Sequence, residues 1–209
     1  MLGQRLEMEF RSTVTISVLD LCSYLGLAAT GFATLTLWLG LLISLRYSPQ
    51  RFWPHRHVNL FALHQWSAYA TVVFMLTHPV VLLFQHAPSF RVIDLVWPLH
   101  SPLQPKLNCA GAAALYLLVV VLGSSLLRHR VGRPLWRKLH TLAFPAVVLV
   151  FLHSILTDPL LKDGKPDLLD GGKVFVEIAC VLSVAAVVGR IVLRGKGLRP
   201  DAGRRPLRS

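Results

Sequence analysis

Apolar residues in this chain gather into five long runs, with polar and proline-containing connections between them. The runs do not alternate as half-buried strands would. Each is long enough, at about 20 residues, to cross a hydrocarbon core. They place predicted helices at 19–44, 60–84, 108–127, 135–156 and 173–193. The expected fold is all-α: an integral membrane helical bundle of about five transmembrane helices. A 1–18 N-terminal segment precedes the 19–195 membrane domain, and a 196–209 basic tail follows it. The connection 85–107 holds Pro88, Pro98, Pro102 and Pro105 and reads as irregular, with room for a short helix at the interface.

Composition supports the membrane reading. The 209 residues are 54% hydrophobic and 15% charged, against about 25% charged in a soluble domain. The formal charge is +12. Of the 22 Lys and Arg residues, 15 lie in the links after the first and third runs and in the tail from Arg190, leaving seven for the other side. The positive-inside bias then puts the N-terminus outside and the C-terminus in the cytoplasm. No nucleic-acid recognition module accompanies the basic residues, so no nucleic-acid partner is expected. Cys22, Cys109 and Cys180 are widely spaced and read as buried thiols, not as a disulfide framework or zinc site. Early Glu7 and Glu9 are unlike a cleaved signal peptide. Gly26, Gly31 and Gly40 in the first run read as helix-packing positions.

Histidine placement changes the picture. The second run, LHQWSAYATVVFMLTHP, carries His64 and His78; the fourth, LHTLAFPAVVLVFLHS, carries His140 and His153. Their separations of 14 and 13 residues correspond to about 20 Å along a helix. The two runs are parallel, so His64 and His140 share a depth near the inner face, and His78 and His153 share one near the outer face. Haem iron used for electron transfer takes two strong axial ligands, and imidazole suits that role. Four histidines on two helices supply two such sites. Phase complicates this: 14 residues return to within about 40° of one face, whereas 13 miss by about 140°. Pro145, between His140 and His153, offers a kink or local rewinding; haems on different flanks of the helix are the other solution.

A lone intramembrane histidine often only bonds a neighbouring helix, although ionisable groups in a bilayer are functional candidates by default. Proton or metal passage is the functional rival, with Asp20 and Glu177 the main carboxylates; Lys173 lies one turn from Glu177 as a candidate partner. His55, His57, His86, His100 and His129 fall in links and read as solvated or interfacial. Arg56, Arg133, Arg137 and Lys138 are candidates for haem propionates at the inner level, with Arg91 and Lys106 at the outer level. Trp66, Phe74, Met75, Phe144 and Phe151 are candidate lining residues.

The stretches LHQWSAYATVVFMLTH and LWRKLHTLAFPAVVLVFLH resemble the ferric reductase-like transmembrane domain, across roughly residues 20–195. That family includes the membrane cytochrome b parts of NADPH oxidases and ferric reductases, and more distantly the haem subunit of a bacterial methionine sulfoxide reductase. The resemblance implies two b-type haems, held by His64 with His140 and by His78 with His153 as axial ligands of the iron. It implies an oxidoreductase component in a bacterial inner membrane or plasma membrane, with no catalytic acid–base or nucleophilic residue. Larger members continue into a flavin- and nicotinamide-binding part and usually have six spans; here five spans end in a short basic tail. The electron donor is therefore expected to be separate: a flavoprotein, a redox subunit or a quinol, with an acceptor of unknown kind. The rival expectations are a haem-free transporter or proton/metal pathway protein, and a structural subunit tethering a partner through its tail.

Overall fold

The computed structural model describes residues 17–47, 59–157 and 171–195. The 1–16 segment, the 196–209 tail, the acidic connection 158–170, His55, Arg56 and His57 lie outside the described residues. Eight α-helices are found among the described residues, and no strand. They are α1 (Val18–Ser44), α2 (Leu60–Val81), α3 (Val92–Val96), α4 (Pro105–Leu126), α5 (Arg128–Val131), α6 (Arg133–His140), α7 (Ala143–Leu156) and α8 (Gly171–Gly195). Five segments are long and apolar enough to cross a membrane: Val18–Ser44, Leu60–Phe84, Pro105–Leu126, Arg133–Leu156 and Gly171–Leu193. The protein is an all-α membrane bundle.

Local chemistry sets the helix ends. Ser17 and Asp20 form a reciprocal capping box: the Asp20 amide donates to Ser17 Oγ at 3.0 Å, and the Ser17 amide donates to the Asp20 carboxylate at 3.0 Å. This satisfies two otherwise orphaned donors and makes Asp20 a helix cap. The Asn59 side chain caps α2 by accepting from the Ala62 amide. Gly132, at φ +80°, makes the turn between α5 and α6, a conformation that a side chain would strain. At the far end of the bundle, Lys173 is buried and donates from Nζ to the Ile155 carbonyl at 3.1 Å. It caps the C-terminus of α7, where a cation is favoured. The expected Lys173–Glu177 pairing is thus replaced by a bond between helices, because the α7 carbonyls need donors that water cannot supply there.

Helix α1 packs along α2, α7 and α8, and α4 packs along α7. Small side chains allow the approach: Ala29, Ala33 and Ala114 join Met75 and Val150 in one buried cluster. Polar bonds join the same faces. Thr36 Oγ1 donates to Ser67 Oγ at 2.9 Å, Thr30 and Ser154 hydroxyls lie 2.8 Å apart, and Trp38 Nε1 donates to Ser183 Oγ at 3.0 Å. Such bonds between membrane helices average about 0.6 kcal/mol, so the bundle rests on packing, with these bonds fixing rotation. Residues such as Tyr24, Val73, Val181 and Ile191 are exposed, as lipid-facing positions should be.

Candidate functional site

His64 lies in the first turns of α2 and His78 near its last, directly before Pro79. His140 is the final residue of α6, and His153 sits in the last turn of α7. The fourth span is therefore broken just after its first histidine. Pro145 is the third residue of α7 and has no N–H to give the Thr141 carbonyl, and its ring crowds that carbonyl. The chain responds one turn earlier: Leu142 and Phe144 amides bond the Leu139 and Thr141 carbonyls at 3.0 and 3.1 Å, three residues back instead of four. This break at Thr141–Leu142 removes the need for His140 and His153 to share the phase of one straight helix.

The structure brings the four rings together in two pairs. His64 and His140 have ring centroids 6.2 Å apart with planes at 66°. His78 and His153 have centroids 6.3 Å apart with planes at 48°. All four are partly buried. Each Nδ1 has a partner: Thr36 carbonyl at 3.0 Å for His64, Phe74 carbonyl at 3.3 Å for His78, and Leu107 carbonyl at 2.8 Å for His153. A carbonyl only accepts, so these three Nδ1 atoms carry the proton and leave Nε2 with its lone pair. His140 Nδ1 is 3.4 Å from Ser125 Oγ, whose own proton goes to the Val121 carbonyl at 2.7 Å. His140 therefore donates as well, weakly. Among the described residues no hydrogen bond reaches any of the four Nε2 atoms.

Two glycines make the fit close. A Cβ at Gly111 would lie 3.0 to 3.1 Å from three atoms of the His153 ring. A Cβ at Gly40 would lie 3.2 Å from His64 Cε1. Gly31 faces Phe175 in ordinary contact, and nothing lies within 4 Å at Gly26. Of the three glycines in α1, one therefore serves a histidine, one packs and one is open. The third span, expected only to return the chain and pack, supplies Leu107, Gly111 and Ser125 to the histidines. A glycine in an apolar run was the available sign; a backbone carbonyl leaves none.

The model of the ferric reductase-like transmembrane component matches residues 25–151. The chain belongs to this family. The matched region takes in His64, His78 and His140 and ends just short of His153. No curated protein matched the chain, and no solved structure matched it. Ferric reductase-like transmembrane components are membrane electron-transfer proteins, associated with redox cofactors and redox partners.

The histidine pairs fit the cofactor class this membership implies. An imidazole nitrogen sits about 2 Å from a bound metal and about 1 Å from its own ring centre, so two rings on opposite sides of one metal have centroids about 6 Å apart, against about 5 Å at a tetrahedral angle. Both pairs have the wider separation. Among the described residues no cluster of three or more His, Cys, Asp or Glu is placed to hold a metal ion.

The remaining candidates divide. Met75 is buried and Phe74 packs beside it, one turn inward of His78, with Val150 one turn inward of His153. Phe151 instead joins Val147, Val176 and Ala179 at the α7–α8 contact, while Trp66 and Phe144 are exposed. Arg133, Arg137 and Lys138 are exposed at the His140 end. Arg91 is engaged with Asp94 at 3.3 Å; nothing in its contacts turns it toward His78 or His153. His86, His100 and His129 are exposed.

Proposed function

We propose that this ferric reductase-like component is a membrane cytochrome b subunit that transfers single electrons across the membrane through two bis-histidine b-type haems. His64 and His140 would hold one, and His78 and His153 the other, within a functional unit of residues 19–195. The observation that carries this is the meeting of the four imidazoles in two pairs, 6.2 and 6.3 Å between centroids, with every Nδ1 already engaged. Haem held there by these histidines would supply a one-electron ferric–ferrous couple.

The chain's own residues do the rest. The Thr36, Phe74 and Leu107 carbonyls hold the ring tautomers and orient them, and such partners raise ligand basicity. Met75, Ala114 and Val150 form an apolar layer one turn inward of the outer pair, excluding water. The basic links support an orientation with the N-terminus outside and the His64/His140 pair toward the cytoplasm. Donor and acceptor are separate partners: a flavoprotein, redox subunit or quinol on one side, and an acceptor on the other.

An absorption spectrum of the detergent-purified protein, oxidised and then dithionite-reduced, tests the reading. Sharp low-spin b-type bands at two haems per chain are expected. Protein that stays colourless after expression with haem supplied would overturn it in favour of a pathway for protons or metal ions.

A further inference from the structure

The segment between α2 and α4 buries polar side chains and exposes large apolar ones. Beside Phe90 and Pro98 its buried residues include two polar ones: Asp94 is 5% exposed and Ser101 is 6% exposed. Its outward side chains include a cluster of large apolar ones: Val92, Ile93, Val96, Trp97 and Leu99 are all more than half exposed, beside exposed Arg91 and His100. A water-facing loop would show the opposite pattern. Polar groups inside and apolar groups outside are what a lipid surround selects.

The polar groups are also satisfied within the protein. Asp94 accepts from the Arg91 amide at 2.9 Å and from its guanidinium at 3.3 and 3.4 Å. Ser101 Oγ donates to the Leu103 carbonyl and accepts from Asn108 Nδ2. The Val96 carbonyl, left open near the end of the short α3, accepts from the Tyr116 hydroxyl on α4. Backbone can sit at membrane depth only when its polar groups find such partners.

That last bond also fixes depth. Tyr116 is 11 residues into α4, about 16 Å from its start. A phenol arm and one hydrogen bond together reach under about 10 Å. The Val96 carbonyl therefore lies at least about 6 Å below the Pro105 end of a helix whose 22 residues span about 33 Å, little more than a hydrocarbon core.

We propose that residues 91–104 form a re-entrant element, inserted into the lipid at the His78/His153 end of the bundle and braced on the flank of α4. Leu76 and Val80 of α2, and Phe84 just beyond its end, are exposed apolar residues as well. Arg91, with its side chain 71% exposed, stands at the entry, where a cation meets lipid headgroups. This goes beyond the haem reading and does not depend on it.

The test is spin-label accessibility in the full chain, with Cys22, Cys109 and Cys180 replaced by Ala and the protein in phosphatidylethanolamine–phosphatidylglycerol vesicles. Single labels are placed through Ile93→Cys and Val96→Cys, with Val184→Cys on the exposed face of α8 as lipid reference and His129→Cys in the basic link as water reference. Relaxation by oxygen should exceed that by a water-soluble nickel chelate at 93 and 96, as at 184, with the ratio inverted at 129. Nickel relaxation at 93 and 96 equal to that at 129 overturns the proposal in favour of a water-facing loop. Labels reached by neither reagent overturn it in favour of a covering protein surface. Leu99→Cys gives the same readout if either variant fails to fold.

Discussion

The two histidine pairs have nearly the same ring separation, yet they are built differently. At the His78/His153 end, His153 is gripped by backbone: the Leu107 carbonyl at 2.8 Å, and Gly111 pressed against the ring. Thr157 Oγ1 adds a contact at 3.1 Å. At the other end, His140 leans on a single hydroxyl, Ser125, at 3.4 Å, with the Trp136 ring alongside at 5.3 Å. The partners reverse this order. His64 is bonded to a different helix through Thr36, whereas His78 is bonded only to its own helix through Phe74. Each pair thus has one ring anchored to a neighbouring helix's backbone and one held more loosely. An anchored ring fixes position; a loose one lets the pair close on whatever lies between.

Removing ligands should separate the pairs most sharply. His153→Ala or His78→Ala is expected to halve haem per chain and leave the other site spectrally intact, and His64→Ala or His140→Ala should do the converse. Haem extraction and quantification reads this; unchanged content in all four would sink the pairing.

Adding a methyl should come next in size. Gly111→Ala puts a carbon 3.0 Å from His153, closer than side chains normally approach, and the ring has no room to retreat between Leu107 and Thr157. Strong loss of the outer haem is expected. Gly40→Ala meets His64 at one atom, 3.2 Å away, so a shifted low-spin electron paramagnetic resonance signal with haem retained is expected. Equal effects from the two variants would contradict the asymmetry.

A smaller effect should follow from Lys173→Met. It strips the donor from the Ile155 carbonyl and should cost about 1–2 kcal/mol, seen as a lower thermal midpoint with both haems still bound. The smallest change is expected from Ser125→Ala. It takes the acceptor from His140 and Trp136, and should move only the inner midpoint potential, without haem loss. An outer shift in a redox titration would show that Ser125 acts elsewhere.

Much of this fold was legible because a bilayer demands long apolar runs. The predicted spans agree with the observed helices to within a few residues. Pro105, which reads as part of the 85–107 link, opens α4, a first-turn position proline tolerates. Spacing alone suggests a shared level for His64 with His140 and for His78 with His153, and the rings of these pairs lie 6.2 and 6.3 Å apart. Their supports were not readable. Thr36 and Leu107 act through carbonyls that every residue possesses, and Ser125 and Gly111 sit in a run with no other mark of chemistry. The phase conflict pointed to Pro145, but the break falls at Thr141–Leu142, because a proline disturbs the carbonyl four residues before it.

That break makes the spacing between His140 and His153 a poor ruler. Residues 133–140 and 143–156 form two separate helices joined at 141–142. One residue inserted at the joint would swing His140 by about 100° and leave His153 where it is. The two histidine levels of the bundle are thus separable: the level of His140 can be altered at this joint while that of His153 is held constant.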